Sequence, residues 1–173
     1  MTPQTVTTVS LSPTVADRIF TFAKSSMFER TFRDGMSLVE ETAAYLDGPG
    51  RAASKRLPRI AALTYAAESM RLTTRLMQVA SWLLVQRAVR EGEMDVHEAA
   101  SDRYRLTVRP DAPPLGLGAM SDLPEGLLGL IERGDALYER VQRLDEDMYA
   151  GAEDANPVFD QVARLRAAFG KPQ

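Results

Sequence analysis

The sequence predicts an all-α fold: an antiparallel three-helix bundle with a short extra helix, a long Pro-rich connection and a C-terminal tail. Two observations predict it directly. Helix-start and helix-stop signals punctuate the chain at Ser12-Pro13, Gly48-Pro49-Gly50, Gly92 and Asn156-Pro157. Between them, apolar residues recur at three- and four-residue intervals over stretches far longer than one turn. Composition supplies a third. Among 173 residues, 45% are apolar and 26% charged, a globular balance in a chain long enough to bury one continuous core.

The first helix is expected from about Pro13 to Asp47, with Ser12 as N-cap and Pro13 in the first turn. Its apolar spacing changes phase. Val15, Ile19, Phe22 and Ser26 form one row, and Phe28, Phe32, Met36, Val39, Ala43 and Leu46 another, so a bend or break is expected near Ser25 to Met27.

A second helix begins at Ser54 or Leu57-Pro58 and runs to about Glu91, ahead of Gly92. It carries two apolar rows on nearly opposite sides. One comprises Leu63, Ala66, Ala67, Met70, Met77, Leu84 and Ala88; the other Tyr65, Leu72, Leu76, Val79 and Leu83, with Trp82 at its margin. If the first row contacts the neighbouring helices, the second is left for a partner. The expected self-association surface is therefore Tyr65, Leu72, Leu76, Val79, Trp82 and Leu83, closing a two-fold homodimer; the alternative is that Val15 to Phe22 of the first helix, or the tail, folds back over this row.

Asp95 with Glu98 resembles a capping box, which predicts a short helix from about Val96 to Arg103. Leu106 to Met120, with three prolines and two glycines, reads as an irregular connection. The last long helix shows the cleanest pattern: Leu123, Leu127, Leu130, Gly134, Leu137, Val141, Leu144 and Met148, a heptad seam in which Gly134 marks a close approach of a neighbouring backbone. The bundle domain is thus expected over residues 1–150. Residues 151–173 form a tail, flexible or a short amphipathic helix, with Val158, Val162, Leu165 and Phe169 on one side.

No catalytic constellation is legible, and no enzyme is expected. Cysteine is absent, which removes thiolate nucleophiles, disulfides and Cys-ligated metals and fits a reducing cytoplasm. His97 is the single histidine and has no second histidine at helical spacing, so no metal or cofactor site is expected. Glu40, Glu41 and Glu68 read as surface salt-bridge partners rather than as an acid–base set. Residues 1–12 are Thr-rich without a basic start and apolar run, and no stretch of 18 uncharged apolar residues occurs, so neither secretion nor membrane spanning is expected.

Charge is segregated although the net value is only −3. Arg51, Lys55, Arg56, Arg59, Arg71, Arg75, Arg87 and Arg90 stand against the single acid Glu68, whereas residues 122–160 hold eleven acids against Arg133, Arg140 and Arg143. These segments are expected to face and neutralise one another. The sharper reading is a basic surface for an acidic protein partner, with Arg71 and Arg75 as partner-binding candidates beside Val158, Val162, Leu165 and Phe169 of the tail. An alternative is a DNA-associated regulator using the basic second helix. The acidic overall balance, with a pI near 5.3, and the lack of a compact helix-turn-helix pair weigh against it.

Three stretches together resemble one family. They are Ser25 to Glu41 (Ser-Ser-Met-Phe-Glu-Arg-Thr-Phe-Arg-Asp-Gly-Met-Ser-Leu-Val-Glu-Glu), Tyr45 to Arg51 (Tyr-Leu-Asp-Gly-Pro-Gly-Arg), and above all Tyr65 to Glu93, centred on Met-Arg-Leu-Thr-Thr-Arg-Leu-Met-Gln-Val-Ala-Ser-Trp. Their pattern is similar to the regulator of CtrA degradation, the RcdA family of alphaproteobacteria. Leu123-Pro124, Leu137 to Arg140 and Arg143 to Asp145 resemble its last helix. The resemblance implies a dimeric three-helix bundle, a non-enzymatic adaptor that helps deliver cell-cycle regulators such as CtrA to the ClpXP protease. It implies work beside CpdR-like and PopA-like adaptors, a functional tail, and a cytoplasmic location with recruitment to a cell pole. It carries over no catalytic residue.

Overall fold

A computed structural model of the chain describes residues 13–106 and 118–150. Among these, every regular element is helical. The tail with Val158, Val162, Leu165 and Phe169, the N-cap expected at Ser12, and residues 107–117 of the Pro-rich connection lie outside the described residues.

The expected first helix is two helices, α1 (Val15–Ala23) and α2 (Ser26–Asp47). The start comes two residues later than Pro13. Thr14 is the N-cap: its hydroxyl accepts from the Asp17 N–H at 3.2 Å, while the Asp17 carboxylate accepts from the Thr14 N–H at 3.0 Å, a closed capping box. The break falls where the apolar rows change phase. Ser25 makes it, because its Oγ–H donates to the Phe22 carbonyl at 2.6 Å and its Oγ accepts from the Phe28 N–H at 3.1 Å, closing one helix and opening the next. This turn folds Phe22 back edge-to-face on Phe28, 5.8 Å between ring centroids, and within 5.6 Å of Trp82.

Gly48 ends α2 as expected, but Pro49 does not remain in a turn. It opens α3 (Pro49–Ser54), where its fixed φ and missing N–H suit the first helical position. The middle helix α4 (Arg59–Glu91) ends on Gly92 with φ 76°, the left-handed C-cap that glycine adopts without strain. Asp95 opens α5 (Val96–Ala99) by accepting from the His97 N–H at 2.8 Å. Glu98 does not complete a box: it pairs with Arg103 at 2.8 Å, and the helix stops four residues before Arg103. The last helix is α6 (Glu125–Tyr149).

The three long helices α2, α4 and α6 form the bundle, and one direction differs from expectation. Arg90 pairs with Glu29, and Leu83 lies over Gly35, so α2 and α4 are antiparallel. Arg133 reaches Glu41 at 2.7 Å and Arg140 lies 3.8 Å from Asp34, so α2 and α6 are antiparallel too. Between α4 and α6, however, Arg71 meets Asp135 at 3.3 Å and Trp82 meets Asp145 at 2.8 Å; the numbers rise together and the helices are parallel. A 33-residue helix is about 50 Å long. Because α6 runs parallel to it, the end of α4 and the start of α6 lie at opposite ends of the bundle.

Two glycines set how closely the bundle packs. A Cβ on Gly35 would lie 2.8 Å from Leu83 Cδ1, and one on Gly134 would overlap Leu72 Cδ1. Leucines of α4 thus fill notches on both neighbours, and at Gly134 the close approach is by a side chain rather than by the backbone expected there. The α6 seam is buried along nearly its whole length, only Leu144 remaining partly exposed. On α2 the core row is Phe28, Thr31, Gly35, Leu38 and Thr42; the more apolar Phe32, Met36 and Val39 sit on its flank.

Candidate interaction surfaces

The structure exchanges the roles expected for the two rows of α4. Tyr65, Leu72, Leu76, Val79, Trp82 and Leu83, the expected dimer surface, are all buried inside the single chain, and Leu72, Val79 and Leu83 are among its most enclosed side chains. They are core residues, not a surface that another copy can reach. The reason is shape: this row carries the leucines, Leu83 and Leu72, that fill the notches at Gly35 and Gly134, whereas the other alternates methionine and leucine with alanine. That other row is the one left outside, with Leu63 48%, Met70 72%, Met77 65% and Leu84 51% exposed.

Arg71 and Arg75, expected to meet a partner, are turned to α6. Arg71 Nε lies 2.8 Å from Glu68, and its terminal nitrogens approach Asp135 at 3.3 and 3.4 Å. Arg75 pairs with the same Asp135 and lies over the Tyr138 ring, 5.1 Å from its centroid. Two guanidinium groups on one carboxylate tie α4 to α6 at mid-height. Farther along, Arg87 holds Glu91 at 2.7 Å, and Arg90 holds Glu29 while donating to the Ala23 carbonyl at 3.2 Å. Half of the basic run is therefore neutralised within the fold. Arg51, Lys55, Arg56 and Arg59 are exposed and pair with no carboxylate among the described residues.

No side chains assemble into a reactive set among the described residues. Glu41 accepts both terminal nitrogens of Arg133 at 2.7 Å, and these hydrogen bonds hold its carboxyl below the usual carboxylate range. Glu68 is taken by Arg71, Glu40 faces solvent, and His97 is exposed on α5. No group of three or more His, Asp or Glu residues is placed to hold a metal among the described residues, and no helix there is long and apolar enough to cross a membrane.

One polar feature went unforeseen in the sequence. Asp145, only 3% exposed, accepts from the Trp82 indole N–H at 2.8 Å and from the Leu106 backbone N–H at 3.1 Å, with Arg105 Nε 3.6 Å away. This carboxylate anchors the returning chain to the α4–α6 pair. Below it, the Tyr149 hydroxyl lies 3.4 Å from the carbonyls of Ala99 and Ser101, and burial, reinforced by the charge of Asp145, pushes the phenol up to about 12. Arg18 closes the end of α6, donating to the carbonyls of Asp147 at 3.0 Å and of Ala150. An acid next to Leu144 in an apolar seam was the available signal for Asp145, since a charge on the core side of a helix requires buried partners.

Comparison with known proteins places these features in a family. The profile described as "Protein of unknown function (DUF1465)" matches residues 19–169. The crystal structure of RcdA from Caulobacter crescentus CB15 is 57% identical in sequence, with a TM-score of 0.62, and the match covers 76% of this chain and 98% of that one. No curated protein matches. The chain belongs to the RcdA-like family that the DUF1465 profile describes.

Proposed function

We propose that this protein is a non-enzymatic adaptor that helps deliver CtrA-like cell-cycle regulators to the ClpXP protease. On this reading it acts in the cytoplasm together with CpdR-like and PopA-like proteins. The observation that carries the reading is the 57% identity to RcdA over nearly the whole of that chain. The side chains are consistent with it: Arg71, Arg75, Arg90, Arg133 and Arg140 join helices through carboxylates, and an adaptor needs surfaces rather than reactive groups, because raising the local concentration of a substrate beside a protease speeds its capture without chemistry. The DNA-associated alternative loses support, since Arg71, Arg75, Arg87 and Arg90 are held by carboxylates of the same chain. The test is degradation of a purified CtrA-like substrate by ClpXP and its partner adaptors, with and without this protein; acceleration is expected, and no change in rate would remove the reading.

The adaptor is proposed to work as a homodimer, joined through the outer row of α4 instead of the row expected from sequence. Ile60, Leu63, Ala66, Met70, Thr73, Thr74, Met77, Ser81, Leu84 and Arg87 make up the exposed face of this helix. The face is nearly its own mirror about the Thr73–Thr74 peptide. An antiparallel copy would set Leu63 on Leu84, Met70 on Met77, Ala66 on Ser81 and Thr73 on Thr74, with no charge between Leu63 and Leu84 on that face. A two-fold contact requires such self-complementarity, and the small residues let the helices approach closely. The exposure of Leu63, Met70, Met77 and Leu84 along one helix supports this reading. Sedimentation should give a dimer at micromolar concentration; a monomer there contradicts the arrangement.

A further inference from the structure

We propose that the end of the bundle where α3 turns into α4 is a docking site for an acidic protein segment. Arg51, Lys55, Arg56 and Arg59 fall within nine residues, and all four side chains are exposed. The turn that gathers them is tight: the Arg56 N–H donates to the Ala53 carbonyl at 3.0 Å and the Leu57 N–H to the Ser54 carbonyl at 3.3 Å. The fields of like charges separated by no more than a Debye length, about 8 Å at physiological ionic strength, add.

No carboxylate among the described residues pairs with these cations. Arg51 and Lys55 stand four residues apart, a like-charge spacing that disfavours a helix. The first turn of α4 holds no acidic residue to balance them, and Asp47 is the one acid between residues 42 and 67. The same chain pairs its other four cations of this run with carboxylates, as described above. A cluster left unpaired beside a set that is paired is complementary to charge brought by another molecule.

The chemistry favours a protein segment over a nucleic acid. A phosphate backbone is recognised by a stripe of cations that follows it, and this patch is confined to nine residues of the chain that follow the exposed Asp47. Pro58, exposed beside the arginines, offers apolar contact to a side chain between acidic residues. The inference rests on the adaptor reading only in taking the occupant to be a protein.

The test uses the full chain and three fluorescein-labelled probes. These are a Glu/Asp-rich peptide carrying one leucine per helical turn, its Gln/Asn counterpart, and a single-stranded DNA oligonucleotide of equal charge. Anisotropy should show binding of the acidic peptide alone, weakening as salt rises. Arg56→Glu with Arg59→Glu should weaken it about tenfold or more, while Arg33→Glu, an exposed arginine of α2, leaves it unchanged. Circular dichroism confirms that the variants fold, and Arg56→Gln with Arg59→Gln gives the same reading if charge reversal disturbs the turn. Equal binding of both peptides, no loss in the variants, or tighter binding of the oligonucleotide would overturn the proposal. No protease or substrate is involved, so a negative result here leaves the adaptor reading to be decided independently by the degradation assay.

Discussion

Replacing Leu76 with glutamate should unfold the protein, whereas the same change one residue later should not. Leu76 is 3% exposed and approaches the notch at Gly134, its Cδ2 3.9 Å from where a Cβ would stand there. Losing its burial removes about 1.5–3 kcal/mol. An unpaired carboxylate in its place costs several kcal/mol more, whether it stays charged or takes up a proton. The sum is about 5 kcal/mol or above, at the lower edge of the whole stability of an ordinary domain, which is about 5–15 kcal/mol. Met77, 65% exposed, lies on the outer row, where a polar replacement changes folding by less than about 0.5 kcal/mol. Thermal melts by circular dichroism with sedimentation read both effects. Leu76→Glu is expected to lose its cooperative transition, and Met70→Glu with Met77→Glu to melt as an intact monomer. A folded, monomeric Leu76→Glu protein would refute the assignment of the two rows.

Other consequences follow from the same contacts. Gly134→Ala gains about 1 kcal/mol of helix propensity, but its methyl meets the enclosed Leu72, so a net loss of about 1–2 kcal/mol is expected as a lower melting temperature. Asp145→Ala leaves the Trp82 and Leu106 N–H groups buried without their acceptor, about 1–3 kcal/mol each, and hydrogen exchange at Leu106 should accelerate. Tyr149 titrates near 12 in the fold against an ordinary value of 10.0, so its contribution is complete below pH 10 and is lost as pH rises towards 12. The melting temperature should therefore fall across that window, and less steeply in Tyr149→Phe.

Local signals in the sequence were good guides to the elements and poor guides to which faces they bury. The phase change at Ser25, the stop at Gly48, the end at Gly92 and the α6 seam all followed from short-range chemistry that acts within a turn or two. The rows of α4 could not be ranked that way. Both are apolar, and the choice between them depends on Gly35 and Gly134, residues of two other helices that offer notches to Leu83 and Leu72. Helix direction has the same character: only the pairing of Arg71 and Arg75 with Asp135, and of Trp82 with Asp145, reveals that α4 and α6 run parallel. Charge segregation was visible, but which cations the fold consumes was not. Arg71 and Arg75 looked available because Asp135 lies sixty residues or more away in the chain.

If this bundle promotes proteolysis through its surfaces, the rate of proteolysis must depend on them. The decisive quantity is the rate at which ClpXP, primed by CpdR-like and PopA-like partners, degrades a purified CtrA-like substrate in the presence of the wild-type protein and of Met70→Glu/Met77→Glu. Faster degradation is expected with the wild type, and a reduced effect with the folded variant. Degradation that proceeds at one rate with the wild type, with the variant and with neither would contradict an adaptor that works through the outer row of α4.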